Sequence, residues 1–206
     1  MLVTFEGIEA AGKSTLIAAL HEELTTRGNV VIVTREPGGT PLGDALRAVF
    51  LDPGLALDPI AEVMLLNASR AQLVADVIAP ALKARSVVLC DRFFDATVAY
   101  QGYGRGLNVE SLLEICLTAT HRIAPDLTFL IDIPVELSQA RLRARGGADR
   151  LEREGTDFHI RVRDGYLALA ERFSNRYVVL EGTEPPGVLA AAALAVFEQR
   201  REASPA

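Results

Sequence analysis

The 206-residue chain has no tryptophan, two cysteines, three histidines and two lysines. Each scarcity excludes something. Cys90 and Cys116 lack metal-ligand spacing and are too few for a disulfide framework. Cys90 ends an apolar run and reads as a buried free thiol. His21, His121 and His159 are scattered, which argues against a zinc site. The longest apolar stretch, residues 188–197, is ten residues long, against the roughly 18 that a membrane helix needs. The opening MLVTFEGIE has no basic n-region of a signal peptide. A soluble, cytoplasmic protein without membrane association is therefore expected. A net charge of −6 also argues against a dedicated nucleic-acid binder, which carries a basic footprint.

What is present fits one globular domain. The apolar fraction is 50 % and the charged fraction 23 %, ordinary values for a chain with a packed core. A domain of this size buries about 70 % of its unfolded surface. Only Lys13 and Lys83 are lysine, so 19 of the 21 basic residues are arginine. Genomic base composition explains such a count. So does phosphate recognition, in which the guanidinium fork binds oxygens in pairs. Placement decides between them.

Short apolar runs at residues 2–5, 30–34, 87–90, 127–131 and 177–180 have the unbroken pattern of parallel strands buried on both faces. Helical patterns lie between them at 13–27, 58–84, 109–120, 135–144, 157–175 and 185–201. This alternation predicts an α/β fold with a parallel sheet between layers of helices. Three segments fit it poorly: 36–59, rich in glycine and proline; 101–108, QGYGRGLN; and 145–157, with seven charged residues. In open α/β sheets ligands sit beyond the carboxyl ends of the strands, so these read as site loops and a lid.

The strongest chemical signal is Gly7-Ile8-Glu9-Ala10-Ala11-Gly12-Lys13-Ser14, followed by Thr15. It matches GxxxxGK[ST] between a strand and an amphipathic helix. Glycines let the loop curl so that its N–H groups face inward, and the helix N-terminus adds positive charge. Lys13 is placed to reach β- and γ-phosphates, and Ser14 to ligate Mg²⁺. The loop implies a nucleoside triphosphate but not the reaction. Neither the guanine-reading NKxD nor DxxG occurs, so a GTPase switch is disfavoured. A small phosphotransferase needs a second basic pocket. Arg35 ends the second strand, Arg92 follows Asp91 at the end of the third, and Arg70 lies on the long helix. Asp91 suits a second Mg²⁺ contact, directly or through water.

These motifs, Phe5-Glu6-Gly7-Ile8-Glu9 through Ser14-Thr15, Thr34-Arg35-Glu36-Pro37-Gly38-Gly39-Thr40, Asp91-Arg92, Tyr100-Gln101-Gly102 and Pro125-Asp126-Leu127-Thr128, resemble the thymidylate kinases in order and spacing over about residues 2–182. The resemblance implies a P-loop NTPase-type fold with a five-stranded parallel sheet and a helical lid, and one nucleoside monophosphate kinase domain over 1–206 with its lid at about 141–157. It implies transfer of the ATP γ-phosphoryl group to dTMP with Mg²⁺, and a homodimer. It assigns Glu9 to the acceptor sugar, Arg35 and Arg92 to the acceptor phosphate, Arg70 to the thymine edge, Thr97 to the base region, Tyr100 to the deoxyribose, and Gln101 to the dTMP site. A ring at Tyr100 would crowd a 2′-hydroxyl.

Some relatives carry an arginine inside the phosphate loop. Here Ala10 and Ala11 occupy those positions, which resembles the bacterial type that supplies the arginine from the lid. Arg145, beside the hinge Gly146-Gly147, fits that role, and Arg141 or Arg143 fits adenine stacking. Arg153, Arg161 and Arg163 read as a solvated helix face. One position departs from the pattern: Leu66 stands where many bacterial relatives place a phenylalanine against thymine. The rival readings are another small nucleoside or nucleotide kinase, for which three arginines around an unphosphorylated acceptor have no purpose, and a nucleotide-binding module without turnover, for which lid arginines have none.

Overall fold

The computed structural model describes residues 1–146 and 149–203. Five strands, β1 (Leu2–Glu6), β2 (Val31–Arg35), β3 (Val87–Asp91), β4 (Leu127–Asp132) and β5 (Tyr177–Glu181), form one parallel sheet in the order β2-β3-β1-β4-β5. All five expected strands are present, each within a residue of the expected bounds. β1 is central and wholly buried, as its unbroken LVTFE pattern requires. Helix α1 (Lys13–Thr26) buries Leu16, Ile17, Leu20 and Leu24 at helical spacing. No helix among the described residues is long and apolar enough to cross a membrane.

The register brings Arg35 beside Asp91, and Asp91 beside Phe5, at the carboxyl edge of the sheet. Glu6 ends the same edge. Three strands thus deliver charged side chains to one rim, where the phosphate loop begins.

Two expected loop regions are helical. Within 36–59 lies α2 (Pro41–Leu51), started by Thr40, whose hydroxyl accepts the Gly43 N–H at 3.0 Å, and by Pro41 in its first turn. Gly43 obscured it. A Cβ there would meet the Gly38 carbonyl at 2.8 Å, so this glycine serves close packing. Helix α3 (Pro59–Leu73), capped by Asp58 onto the Ile60 N–H at 2.8 Å, continues through a π-helical turn, Val74–Ile78, into α4 (Ala79–Lys83). The widened turn accommodates Pro80 inside what the sequence presents as one helix.

The second is the start of 101–108. Helix α5 (Phe94–Thr97) runs into a π-helical stretch, Val98–Gly104. Gly104 again marks close packing, since a Cβ would meet the Phe158 ring at 2.7 Å. The chain then forms α6 (Val109–Ala119), α7 (Val135–Arg145), α8 (Thr156–Arg172) and α9 (Pro186–Ala203). α8 packs on the π-helical stretch through Phe158, Val162 and Tyr166, all buried.

Candidate active site

The loop between β1 and α1 turns through Gly7 at φ 135°, Ala10 at φ 55° and Gly12 at φ 106°. A Cβ at Gly7 would run into the Ile131 carbonyl oxygen, so only glycine lets the loop pass this close to β4. Ile8 and Ala11 point into the core and contribute backbone alone. Two side chains of α7 brace the loop from outside: Ser138 Oγ donates to the Glu9 carbonyl at 2.7 Å, and Arg141 Nη1 to that of Ala10 at 2.9 Å. Lys13 Nζ donates to the Gly7 and Ile8 carbonyls at 3.1 and 2.9 Å. Ser14 Oγ donates to Asp91 Oδ2 at 3.3 Å. Two hard oxygen donors thus meet at the loop, a donor pair suited to a hard divalent cation.

A cleft of about 390 Å³ runs from this loop to α3. Glu9, Ala10, Ala11, Gly12, Lys13, Ser14, Thr15 and Asp91 line one part. Arg35, Leu66, Arg70, Arg92, Thr97, Tyr100 and Gln101 line the other, and Arg145 at the end of α7, with Asp149, Leu151 and Glu152, borders it. Residues up to 143 positions apart in sequence therefore share one cavity. Gly7, Ile8, Arg141 and Arg143 do not line it.

Each arginine is held differently. Arg70 is fully buried on α3. Its Nε donates to Glu36 Oε2 at 2.8 Å, Nη1 to Asn67 Oδ1 at 2.8 Å and Nη2 to Thr97 Oγ1 at 2.9 Å. These bonds fix the guanidinium plane. Arg92 sits at φ 68°, a conformation that a non-glycine residue holds only when its surroundings enforce it. Its Nη1 donates to the Gly7 carbonyl at 2.9 Å and to the Tyr166 hydroxyl at 2.7 Å, and its Nη2 to Glu9 Oε1 and the Tyr100 hydroxyl, both at 3.1 Å. Tyr100 also donates to Glu9 Oε1. Arg35 is exposed and pairs with Asp44 at 3.2 Å.

Burial dominates the titration of this site. It pushes the Lys13 ammonium down to about 8, with Arg92 adding to the effect against Asp91 and Glu9. Burial also acts to raise the Glu9 carboxyl, but Arg92, Lys13 and the Tyr100 hydroxyl outweigh it and hold the group below its ordinary range. Beneath the loop, burial and the neighbouring Asp95 raise the Glu6 carboxyl well above normal. Glu6 accepts the Phe93 N–H at 2.7 Å and the Tyr166 hydroxyl at 2.9 Å, so it props the turn that carries Arg92.

In the lid segment, α7 ends at Gly146, φ 72°; its neighbour Gly147 in the expected hinge lies outside the described residues, as does Ala148. Arg143 is exposed. Arg145 is exposed too, and its Nη2 meets Glu152 Oε1 at 2.5 Å. Arg161 is exposed, as expected of a solvated face, whereas Arg163 is half-buried and departs from it. Arg161 Nη2 donates to the Gly104 carbonyl at 3.0 Å, and Arg163 pairs with Asp132 through both carboxylate oxygens at 2.7 Å. The sequence reading missed Glu6, Glu36, Glu62, Tyr166 and Glu152 as partners of site residues. Only Glu6 left a signal, a charge ending a fully apolar central strand.

Comparison with known proteins agrees with this geometry. A family model described as thymidylate kinase matches residues 5–192. The chain is 52 % identical to a thymidylate kinase of Geobacter sp. (strain M21) over 188 residues, covering 88 % of this chain and 84 % of the other. It is 46 % identical to that of Deinococcus radiodurans over 200 residues, covering 97 % of each. The crystal structure of thymidylate kinase from Ehrlichia chaffeensis superposes with a TM-score of 0.78 at 30 % identity, covering 96 % of this chain and 98 % of the other.

Proposed function

The chain belongs to the thymidylate kinase family, and from that premise we propose how its residues divide the work. The reaction is transfer of the γ-phosphoryl group of ATP to dTMP, giving dTDP and ADP. Such a transfer asks little covalent chemistry of the protein; it needs alignment of two phosphates and neutralisation of their charge. One observation carries the assignment. A single cleft is lined by the phosphate loop and by Arg35, Arg70 and Arg92.

At the donor end, the loop N–H groups from Gly7 to Thr15 cradle the ATP phosphates, and Lys13 leaves the loop carbonyls to meet them. Ser14 and Asp91 would hold Mg²⁺, whose charge neutralises the phosphate oxygens. Arg143, exposed on α7, stacks on adenine, while Arg141 braces Ala10. At the acceptor end, Arg35 and Arg92 take the dTMP phosphate. Glu9 and Tyr100, which hold Arg92, face the deoxyribose. Arg70, Thr97 and Gln101 address the thymine edge, and Leu66 forms an apolar wall. Arg145 joins from a lid at about residues 141–157 of a single 1–206 kinase domain. Leu42, Val49, Ile60 and Met64, all exposed on α2 and α3, support a homodimer through that face, measurable by sedimentation. The protein acts in the cytoplasm, in dTTP supply.

Calorimetric titration tests the acceptor pocket. dTMP binds and thymidine binds at least about a hundredfold more weakly, because charge-assisted bonds to two arginines are lost. Leu66→Phe tightens dTMP by up to about tenfold, as ring stacking adds ~0.5–1.5 kcal/mol, and leaves ATP binding unchanged. Equal binding of thymidine and dTMP contradicts the pocket assignment. A Leu66→Phe effect confined to ATP places Leu66 elsewhere.

A further inference from the structure

Glu62 lies on α3, fully buried, and is not among the residues lining the cleft. Three donors from separate parts of the chain converge on its carboxylate. Gln101 Nε2 donates to Oε2 at 2.7 Å, Arg105 Nη2 donates to Oε1 at 3.0 Å, and Arg150 of the lid segment donates to Oε1 as well. Both oxygens of the Glu62 side chain are thus engaged as acceptors, by two guanidiniums and one amide. The amide of Gln101 must therefore turn its NH₂ towards Glu62. Its other end, Oε1, is buried and has no hydrogen-bond partner among the described residues, although Gln101 lines the cleft.

We propose that Glu62 is a positioning residue that sets the polarity of Gln101, so that the cleft meets an acceptor oxygen and not an amide NH₂. The inference rests on the reading above that Gln101 addresses the acceptor base. An acceptor oxygen there suits a base with an N3–H imide, which thymine and uracil share. It opposes cytosine, whose N3 carries a lone pair. Without the acceptor oxygen of Glu62, the Gln101 amide can turn over and present its NH₂, which suits cytosine. Glu62 thus acts on base identity without touching the base, and it does nothing to separate thymine from uracil.

The test compares kcat/KM for dTMP, dUMP and dCMP in the wild-type, Glu62→Gln and Gln101→Ala enzymes. In Glu62→Gln the preference for dTMP over dCMP narrows by about tenfold or more, the scale of exchanging a matched buried hydrogen bond for a mismatched one. The preference for dTMP over dUMP stays within about twofold. A loss of packing alone lowers all three rates together. An unchanged dTMP-to-dCMP ratio in folded Glu62→Gln overturns the proposal. If Gln101→Ala also leaves that ratio unchanged, the reading of Gln101 itself is wrong. If Gln101→Ala narrows it and Glu62→Gln does not, only the role of Glu62 falls. Should Glu62→Gln fail to fold, hydrogen exchange of the Gln101 side-chain amide in the wild-type protein decides. Strong protection of its Nε2 protons agrees with the proposal, and exchange at the rate of a solvated glutamine overturns it.

Discussion

Arg145→Ala lowers kcat by at least about a hundredfold and leaves the KM for dTMP nearly unchanged. The phosphate loop supplies Lys13 and backbone N–H groups, with Ala10 and Ala11 where some relatives hold an arginine. One cationic partner for the moving phosphoryl group must come from elsewhere. Arg145 borders the cleft beside Gly146, at the end of α7. It is exposed and paired only through its tip, to Glu152, so its exchange of partners costs little. A charge that arrives on lid closure acts mainly on the transition state. Arginines in this role contribute about 10³- to 10⁵-fold in rate, or ~4–7 kcal/mol. Arg153→Ala, further along the lid, has a much smaller effect. A raised KM alone makes Arg145 a binding contact, and a crippling Arg153→Ala moves the catalytic arginine to that position.

Lys13→Ala abolishes nearly all turnover while the protein stays folded. The side chain is buried against loop carbonyls but packs no core layer, so its loss falls on charge neutralisation between the β- and γ-phosphates. Circular dichroism and kcat measured on the same preparation separate the two. Near-normal turnover in folded Lys13→Ala contradicts the phosphate-loop assignment. The wild-type enzyme also has a pH signature. Lys13 titrates at about 8 in the free protein, and ATP phosphates favour its protonated form. Below that pH the ammonium is already charged and ATP affinity is flat. Above it, binding must take up a proton, so affinity falls by up to about tenfold per pH unit. Calorimetry in buffers of different ionisation enthalpy reads this uptake directly, and a pH-independent affinity to pH 9.5 contradicts it.

The sheet and the phosphate loop were legible because both depend on local pattern. Unbroken runs such as LVTFE and VVLCD mark strands buried on both faces, and GIEAAGKS fixes a turn between strand and helix. Arg35 and Arg92 were legible as cleft residues from their place at the ends of β2 and β3. Helix α2 and the helical start of 101–108 were not. Gly43 and Gly104 read as breakers, yet each is small because another segment presses on it. The buried partners were hidden for a different reason. Glu62 meets Arg150 and Glu6 meets Tyr166 across 88 and 160 positions, pairings that exist only once the fold closes. Arg163 looked solvated for the same reason, since the group that holds it, Asp132, lies on another element.

A coupled ADP-release assay across dTMP, dUMP, dCMP, UMP and thymidine, with ATP and Mg²⁺, tests the account most directly. It predicts ADP release that requires an acceptor and is fastest with dTMP. dUMP is slower, since it lacks the methyl that packs against the apolar wall. UMP is rejected through its 2′-hydroxyl at Tyr100, and thymidine is inert because Arg35 and Arg92 have no phosphate to hold. Turnover of thymidine at a rate comparable to dTMP, or ADP release independent of any acceptor, would contradict it.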